Sequence, residues 1–265
     1  AEFYTQSFLG IKDVYINNGN VFVSYTKQLK EDCFNISILK AKIDYKELIF
    51  NDFFSVDECT TRTSIYDDNM HHAGGRIISL NDTFLVLTVG DFGNYEAVQD
   101  DDSYFGKIIK INIDTKNYSI ISKGHRNPQG LIQLNDGQII EHEHGPFGGD
   151  EINIIQSGKN YGWPAITYGR DYSGAIISPF TEMDGMEQPI KYWVPSIAPS
   201  GMIYYTGDNF PEWKNSLMIS SLKAKKVSKI SFNETLISSE DNLFQELNHR
   251  FRNILQHPNG NILLL

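Results

Sequence analysis

Short turn sequences that lead directly into apolar strands recur along this chain and constrain its fold more than any other feature. Asn or Asp followed by Gly stands at 18–19, 136–137 and 259–260, each time before a β-rich segment. Such dipeptides are hairpin signals, because type I′ turns need positive φ at both central residues. Weaker versions occur at 81–82 and 213–216. Five units spaced by some tens of residues are typical of a β-propeller, in which four-stranded sheets repeat radially.

The segments next to these turns alternate apolar and polar residues or are short and β-rich, which predicts strands. The predicted strands are 20–26, 34–43, 84–90, 107–114, 137–144, 216–222, 226–232 and 261–265. No window has the pattern of a long amphipathic helix. We therefore predict an all-β chain that forms one propeller domain over residues 1–265. A β-sandwich is the alternative that the pattern alone leaves open.

The charge balance argues against nucleic acid as a partner. The chain has 33 Asp and Glu against 23 Lys and Arg, a formal net charge of −10, whereas a nucleic-acid-binding surface needs a clustered basic face. No apolar run approaches the roughly 18 residues that span a bilayer, so no membrane span is predicted.

The two cysteines, Cys33 and Cys59, allow two interpretations. They are either two thiols at or near the surface, or a disulfide across adjacent strands, which would fit an oxidising compartment. The sequence contains no CxxC motif. A redox-active or zinc-binding cysteine site is therefore not predicted.

The segment 124–164 has the composition of a site built from main-chain atoms. Glycines and prolines, which fix unusual backbone geometry, flank a central strand, turn and strand. Arg126 and Asn127 lie within it, and a planar cationic fork beside an amide can bind carboxylates. The alternative is a structural ion pair and a turn residue. We interpret the segment as the core of a cofactor site.

Two adjacent histidines, His71 and His72, precede two glycines that permit close approach to a ligand. Histidine has a pKa suited to a general base that removes a hydroxyl proton. In isolation, such a pair would be two loop histidines without special chemistry.

Six motifs occur in a fixed order: HHAGGR (71–76), GHRNPQGL (124–131), EHGPFGGDEIN (143–153), KNYGWP (159–164), PSIAPSGM (195–202) and RFRN (250–253). In these motifs and their order, the sequence resembles the soluble quinoprotein glucose/sorbosone dehydrogenases, which include aldose sugar dehydrogenases that use pyrroloquinoline quinone. The resemblance covers nearly the whole chain from about Phe8. It implies a six-bladed propeller whose first-blade segment has no counterpart here, so about five blades are expected. Ring closure and the activity of such a chain stay open.

The resemblance also implies roles for individual residues. His72 matches the catalytic base, and Arg126 is the second catalytic residue. The implied cofactor-binding set is Arg126, Asn127, Lys223, Arg250 and Arg252. The last two are two residues apart on a strand-like stretch, which would place them on one face. Taken alone, Lys223 would instead belong to a solvated run of lysines.

Two calcium sites are implied as well. The main-chain carbonyls of Gly145 and Pro146 match those that bind a Ca²⁺ ion in contact with the quinone, and hard cations favour such oxygen ligands. Residues matching a second, structural calcium site are Glu151, Tyr161 and Asp171, with Glu187 as a weaker candidate. The alternative is a set of surface acids on a long loop.

Four further motif residues have a less certain role. His71 stands where the family often has Asp or Asn, and His144 where its glucose dehydrogenase branch has Gln. Asp91 and Trp163 also lie in motif segments. We interpret Trp163 as packing rather than chemistry.

These features together predict a calcium- and pyrroloquinoline-quinone-dependent aldose dehydrogenase, periplasmic or secreted. His72 would take the C1 hydroxyl proton of the sugar while hydride passes to the quinone, giving a lactone. Electrons would then leave to an external acceptor. The alternatives are a non-catalytic propeller of the same family that binds a protein or a carbohydrate, and a calcium-dependent lactonase, against which the cationic set argues. Fold alone does not decide among them.

Overall fold

The structure, a computed structural model, describes residues 10–61, 71–233 and 236–265. One short α-helix, α1 (Tyr95–Gln99), and two 3₁₀ turns, Pro211–Trp213 and Gln245–Leu247, are its helical elements. Among the described residues, no helix has the length and apolar character needed to cross a membrane. The strands are β1 (Ile11–Asn17), β2 (Asn20–Lys30), β3 (Cys33–Lys42), β4 (Asn51–Phe54), β5 (Thr60–Thr61), β6 (Gly74–Ser79), β7 (Phe84–Val89), β8 (Lys107–Asn112), β9 (Tyr118–Lys123), β10 (Pro128–Gln133), β11 (Ile139–Glu143), β12 (Asp150–Ile155), β13 (Lys159–Asn160), β14 (Lys191–Trp193), β15 (Pro199–Tyr205), β16 (Ser216–Ser221), β17 (Val227–Asn233), β18 (Leu236–Leu243), β19 (Ile254–Gln256) and β20 (Ile262–Leu264).

Strands that follow one another in the chain pair side by side, and within the described residues they make five sheets. The sheet orders are β1-β2-β3-β4 with β5 on β3, β13-β9-β8-β7-β6, β10-β11-β12-β14, β15-β16-β17-β18, and β19-β20. All pairs with a stated direction are antiparallel except β13, which runs parallel to β9. Short antiparallel connections of this kind are what tight turn signals produce.

Each of the five recurring turns leads into the second strand of one sheet, which explains the repeat in the sequence. Asn18 and Gly19 both have positive φ, 46° and 69°, as a type I′ turn requires. At 136–137 only Gly137 does, with φ 90°. That loop is closed by hydrogen bonds from Gly137 N to Leu134 O and from Leu134 N to Gln138 O. It is a longer hairpin loop, so the type I′ geometry does not extend to every repeat.

All eight predicted strands are present, with ends that differ by a few residues. The strands that pattern analysis missed include β6, β12 and β15. Each begins within a glycine-rich motif, so its apolar alternation is short. The edge strand β1 was missed because several of its apolar residues, among them Val14 and Ile16, are exposed.

The chain divides into two compact units, residues 1–128 with 156–164 and residues 129–155 with 165–265. The first unit packs an aromatic and aliphatic core between its sheets, including Phe22, Ile36 and Leu87. The core of the second includes Ile140, Ile152 and Leu217. The single propeller domain over residues 1–265 stays a prediction.

Cys33 and Cys59 form a disulfide bond within the first unit. The bond closes a segment with a sequence separation of 26 residues. Of the two interpretations that the sequence left open, the disulfide is therefore the one the structure contains.

Candidate functional site

The ends of β6 and β7 bring His72 next to Asp91. Gly90 N donates to Ala73 O at 3.1 Å, and Phe92 N donates to His72 O at 3.1 Å. A Cβ on Gly90 would lie 1.9 Å from His72 O, which no side chain tolerates. The glycine after β7 therefore allows the two main chains to approach closely enough for the side chains on either side to meet.

Asp91 is a fully buried carboxylate that accepts from three donors. Its Oδ1 lies 3.0 Å from His72 Nδ1 and accepts from Gly93 N at 2.8 Å. Its Oδ2 accepts from the indole Nε1 of Trp163 at 2.7 Å. These donors satisfy the hydrogen-bonding capacity of a carboxylate that has no access to water.

The hydrogen bonds of His72 fix which ring nitrogen carries the proton. Arg126 Nη2 lies 2.9 Å from His72 Nε2, and because a guanidinium only donates, Nε2 must accept. The proton of the neutral ring is therefore on Nδ1, directed at Asp91. Burial, together with the charge of Arg126, lowers the pKa of His72, and Asp91 opposes part of that change. The imidazole is thus a neutral base with a defined lone pair.

Arg126 and Asn127 are both buried beside this histidine, at 4% and 5% exposure. The Arg126 guanidinium lies 5.4 Å from the centre of the Trp163 ring. The side-chain oxygen of Asn127 accepts from Gly74 N at 3.3 Å, which orients its amide. In the first unit, the structure thus brings together His72 and both predicted residues of the GHRNPQGL motif.

The parallel strand β13 is what carries Trp163 to this site. After it, Tyr161 N donates to Lys123 O at 2.8 Å and Trp163 N donates to Gly124 O at 3.0 Å. Tyr161 is buried, its ring stacks on His125, and its hydroxyl accepts from Gln156 N at 2.9 Å. The NYGWP motif is therefore held along the edge of the sheet that contains β6 to β9.

In the second unit, a buried carboxylate shapes the loop of Gly145 and Pro146. Asp150 Oδ1 accepts from Gly145 N at 3.1 Å. Its Oδ2 accepts from Ser196 Oγ, Ile197 N and Ala198 N at 2.7 to 2.9 Å. A Cβ at position 145 would lie 2.3 Å from the carbonyl oxygens of Gly148 and of Gly149. These carbonyls therefore crowd a space that only glycine leaves open.

Comparison with known proteins identifies the family. The family model described as Glucose / Sorbosone dehydrogenase matches residues 9–265. Aldose sugar dehydrogenase YliI of Escherichia coli K12 is 36% identical over 211 residues, which are 74% of this chain and 57% of that protein. The chain belongs to the glucose/sorbosone dehydrogenase family. It spans little more than half the length of this curated relative.

Solved structures of glucose/sorbosone dehydrogenases confirm the predicted fold class. The soluble aldose sugar dehydrogenase of E. coli in its apo form superimposes with a TM-score of 0.89 at 28% identity. The match covers 100% of this chain and 81% of that one. A PQQ-bound aldose sugar dehydrogenase from Streptomyces coelicolor has a TM-score of 0.70 at 22% identity, covering 97% and 72% of the two chains, and shows the fold alone. The all-β propeller of this type, with about five blades in the chain, is therefore confirmed, and the sandwich alternative is wrong.

The implied cationic residues of the second unit are exposed. Lys223 Nζ lies 5.2 Å from the centre of the Phe147 ring, which is itself 58% exposed and follows Pro146 directly. Arg250 and Arg252 alternate with the buried Phe251. They lie in the segment that precedes β19 (Ile254–Gln256), and both side chains are exposed.

The residues implied for the second calcium site have different surroundings. Glu151 lies on β12 opposite Glu143, and Asn153 Nδ2 approaches its Oε2 at 3.5 Å and Glu141 Oε2 at 3.3 Å. Burial and the neighbouring Glu143 raise the pKa of both Glu141 and Glu151. Asp171 Oδ1 accepts from the main-chain nitrogen and the hydroxyl of Ser173.

Other motif residues hold loops in place. The ring nitrogen Nε2 of His144 donates to Pro199 O at 2.5 Å, and Glu187 is half-buried in the loop that follows. Sequence reasoning left Asp91 and Asp150 without a role and gave Trp163 a packing role only. A sequence signal existed for each acid, since both lie next to glycines at a strand end.

Proposed function

We propose that this chain is a calcium- and pyrroloquinoline-quinone-dependent dehydrogenase that oxidises aldoses at C1, with His72 as the general base. One observation carries the proposal: a buried, neutral histidine with its proton on Nδ1, held by Asp91 and Arg126. Proton removal from a sugar hydroxyl needs such a base. The family membership and the names of its relatives support the substrate class.

The residues of the chain fit the two groups that this chemistry needs. Arg126 and Asn127 offer buried N–H donors of the kind that anionic oxygens accept. Lys223, Arg250 and Arg252 are proposed as the further cationic ligands. Main-chain carbonyl oxygens suit a hard cation, and we propose those of Gly145 and Pro146, in the loop that Asp150 holds through Gly145 N, as its ligands. Glu151, Tyr161 and Asp171 are proposed for a second Ca²⁺. When bound, the quinone would accept the hydride, and Ca²⁺ would polarise it.

In the reaction, the side chains of this protein would accept a proton from the substrate and stabilise the imidazolium that forms. His72 Nε2 would take the C1 hydroxyl proton, and the carboxylate of Asp91 would stabilise the imidazolium through Nδ1–H. Because Arg126 Nη2 donates to the same Nε2 lone pair, the guanidinium must release it as the hydroxyl arrives. Arg126 and the substrate hydroxyl therefore exchange at one atom, which makes this arginine part of the catalytic step.

The proposal includes an exported location and an external electron acceptor. The disulfide between Cys33 and Cys59 supports an oxidising compartment. The oxidation releases two electrons, which a soluble acceptor such as a dye or a small redox protein would collect. The substrate would be an aldose small enough to present its C1 hydroxyl to His72.

A reconstitution experiment tests the proposal. Purified chain is mixed with the quinone and Ca²⁺, and the quinone absorbance is followed on addition of glucose and of an artificial acceptor. We expect tight cofactor binding and reduction of the dye. His72→Ala should retain the cofactor and lose turnover by about 10²- to 10⁴-fold, the range for a general base. Turnover that survives in His72→Ala would disprove the base assignment, and absent cofactor binding would favour the non-catalytic propeller.

A further inference from the structure

Trp163 contacts both Asp91 and Arg126, the two side chains that flank the His72 ring. Its Nε1–H donates to Asp91 Oδ2 at 2.7 Å, and its ring faces the Arg126 guanidinium at 5.4 Å. Asp91 and Arg126 in turn contact opposite nitrogens of the imidazole, at 3.0 and 2.9 Å. The four side chains thus form a closed ring of contacts, in which both nitrogens of the imidazole have a partner.

The side chains of this contact ring have little exposure to solvent. Asp91 is 0% exposed, Trp163 is 5% exposed, and the His72 side chain is 12% exposed. A hydrogen bond to a carboxylate is strong in such surroundings, because water does not compete for the acceptor. The indole N–H therefore decides which way the Asp91 carboxylate faces, and the edge of Tyr95 packs against the same indole at 5.3 Å.

We propose that Trp163 is a positioning residue for His72: through its N–H to Asp91 and its ring face against Arg126, it sets the tautomer and the orientation of the base. The inference deepens the proposed function and rests on it for the catalytic consequence. It replaces the sequence-based interpretation of Trp163 as packing alone.

The physical consequence follows from the donors on Asp91. Without the indole N–H, negative charge on Oδ2 is less stabilised, and the carboxylate attracts the Nδ1 proton of His72 more strongly. The charged and titratable groups that act on His72 are Asp91, Arg126 and His71. Of these, only Asp91 is altered directly by loss of the N–H, so the titration of His72 should move upward.

Two substitutions at one position separate the two contacts. Trp163→Phe keeps an aromatic face for Arg126 and removes the N–H, whereas Trp163→Leu removes both. Trp193→Phe is the matched control, because Trp193 is a buried tryptophan (7% exposed) whose Nε1 donates to the carboxylate of Glu240 at 3.2 and 3.3 Å in the second unit. It loses the same kind of hydrogen bond without touching the contacts of His72.

The main measurement needs neither cofactor nor substrate. Nitrogen-15 NMR of the histidine side chains, with His72 assigned from His72→Gln, reports its tautomer and its titration. In Trp163→Phe we expect an upward shift of about half to one pH unit with the Nδ1–H tautomer retained. In Trp163→Leu, where Arg126 also loses its aromatic face, we expect the same shift with a mixed tautomer signal. Trp193→Phe should leave both unchanged. An unshifted His72 signal in Trp163→Phe would overturn the proposal, as would an equal shift in Trp193→Phe.

If Trp163→Phe fails to fold, β-(3-benzothienyl)alanine at position 163 keeps the bicyclic shape and lacks the N–H. It should give the same shift, and a wild-type His72 signal in that variant would also overturn the proposal. With the reconstituted enzyme, we expect kcat to fall by about tenfold or more while KM stays close to wild type, because a misplaced base slows the chemical step. Wild-type chain that fails to bind the quinone would refute the proposed function, while the NMR result would still decide the role of Trp163.

Discussion

Two aspartates of this chain, one in each unit, have the same burial and opposite consequences. Asp91 and Asp150 are both fully buried, both lie next to glycines at a strand end, and both accept several hydrogen bonds. Asp150 accepts from main-chain N–H groups and a serine hydroxyl, none of which titrates. Asp91 accepts in addition from His72. The partners of a buried carboxylate, rather than its burial, decide whether its charge serves geometry or chemistry.

The largest expected effect that tests this contrast is on catalysis by Asp91→Asn. The asparagine side chain has one acceptor oxygen and one NH₂ donor. Its NH₂ would therefore face another donor, either Trp163 Nε1–H or His72 Nδ1–H. The second arrangement moves the proton of His72 to Nε2 and leaves no base. We expect the kcat of the reconstituted enzyme to fall by about 10²- to 10⁴-fold, with the circular dichroism spectrum unchanged. A variant with near-wild-type kcat would break the comparison.

Asp150→Asn should instead reduce stability and leave His72 as it is. One acceptor oxygen would become a donor that faces main-chain N–H groups, at a cost of about 3 kcal/mol in the free energy of unfolding. Chemical denaturation measures that cost. Calcium titration measures the calcium affinity, which reports whether the Gly145 loop retains its conformation. A change in the His72 NMR titration as large as that of Asp91→Asn would contradict the assignment of Asp150 to loop geometry.

A smaller effect is expected from Gly145→Ala, which tests the loop that Asp150 holds. The new Cβ would lie 2.3 Å from two main-chain carbonyl oxygens, and such overpacking costs about 1–3 kcal/mol. Gly158→Ala is the control, since it meets nothing within 4 Å but has a φ of 79°. Calcium affinity should fall in Gly145→Ala and stay constant in Gly158→Ala. Equal calcium affinity in the two variants would show that the crowding at 145 is irrelevant.

The smallest expected effect is the pH dependence that His72 contributes to stability. Burial and Arg126 lower its pKa below the ordinary value of 6.5, so the unfolded chain binds this proton more readily than the folded one. Stability should therefore decline as the pH falls through 6.5 towards the lower folded pKa. Asp91→Asn removes the neighbour that raises the pKa of His72. The folded-state pKa should then be lower still, so the loss of stability should continue to lower pH, whereas Asp150→Asn should leave it unchanged. Denaturant midpoints measured between pH 5 and 7 test this. Identical pH profiles of stability in Asp91→Asn and Asp150→Asn would show that the two aspartates do not differ in their effect on His72.

Much of the fold was predictable because strands and tight turns leave local signals. Alternation in 20–26 or 107–114 reports which face is buried, and Asn18-Gly19 supplies the positive φ of a hairpin. Strands such as β12 and β15 were missed, because their glycine-rich starts serve a site and interrupt the alternation. The two-residue spacing of Arg250 and Arg252 is strand-like, yet β19 begins only at Ile254, since such spacing fits an extended loop equally well.

The sequence by itself determined the all-β class, the five repeating units, the family and the residue types of the candidate site, since each of these is written in neighbouring positions. Tertiary structure alone decided that the indole of Trp163 meets Asp91 across a sequence separation of 72 residues, and that Cys33 pairs with Cys59. It also decided which aspartate faces a histidine. The physical reason is that a hydrogen bond forms only when donor and acceptor are placed to within a few tenths of an ångström. Sheet pairing, not local sequence pattern, sets the distance between segments that are far apart in the chain.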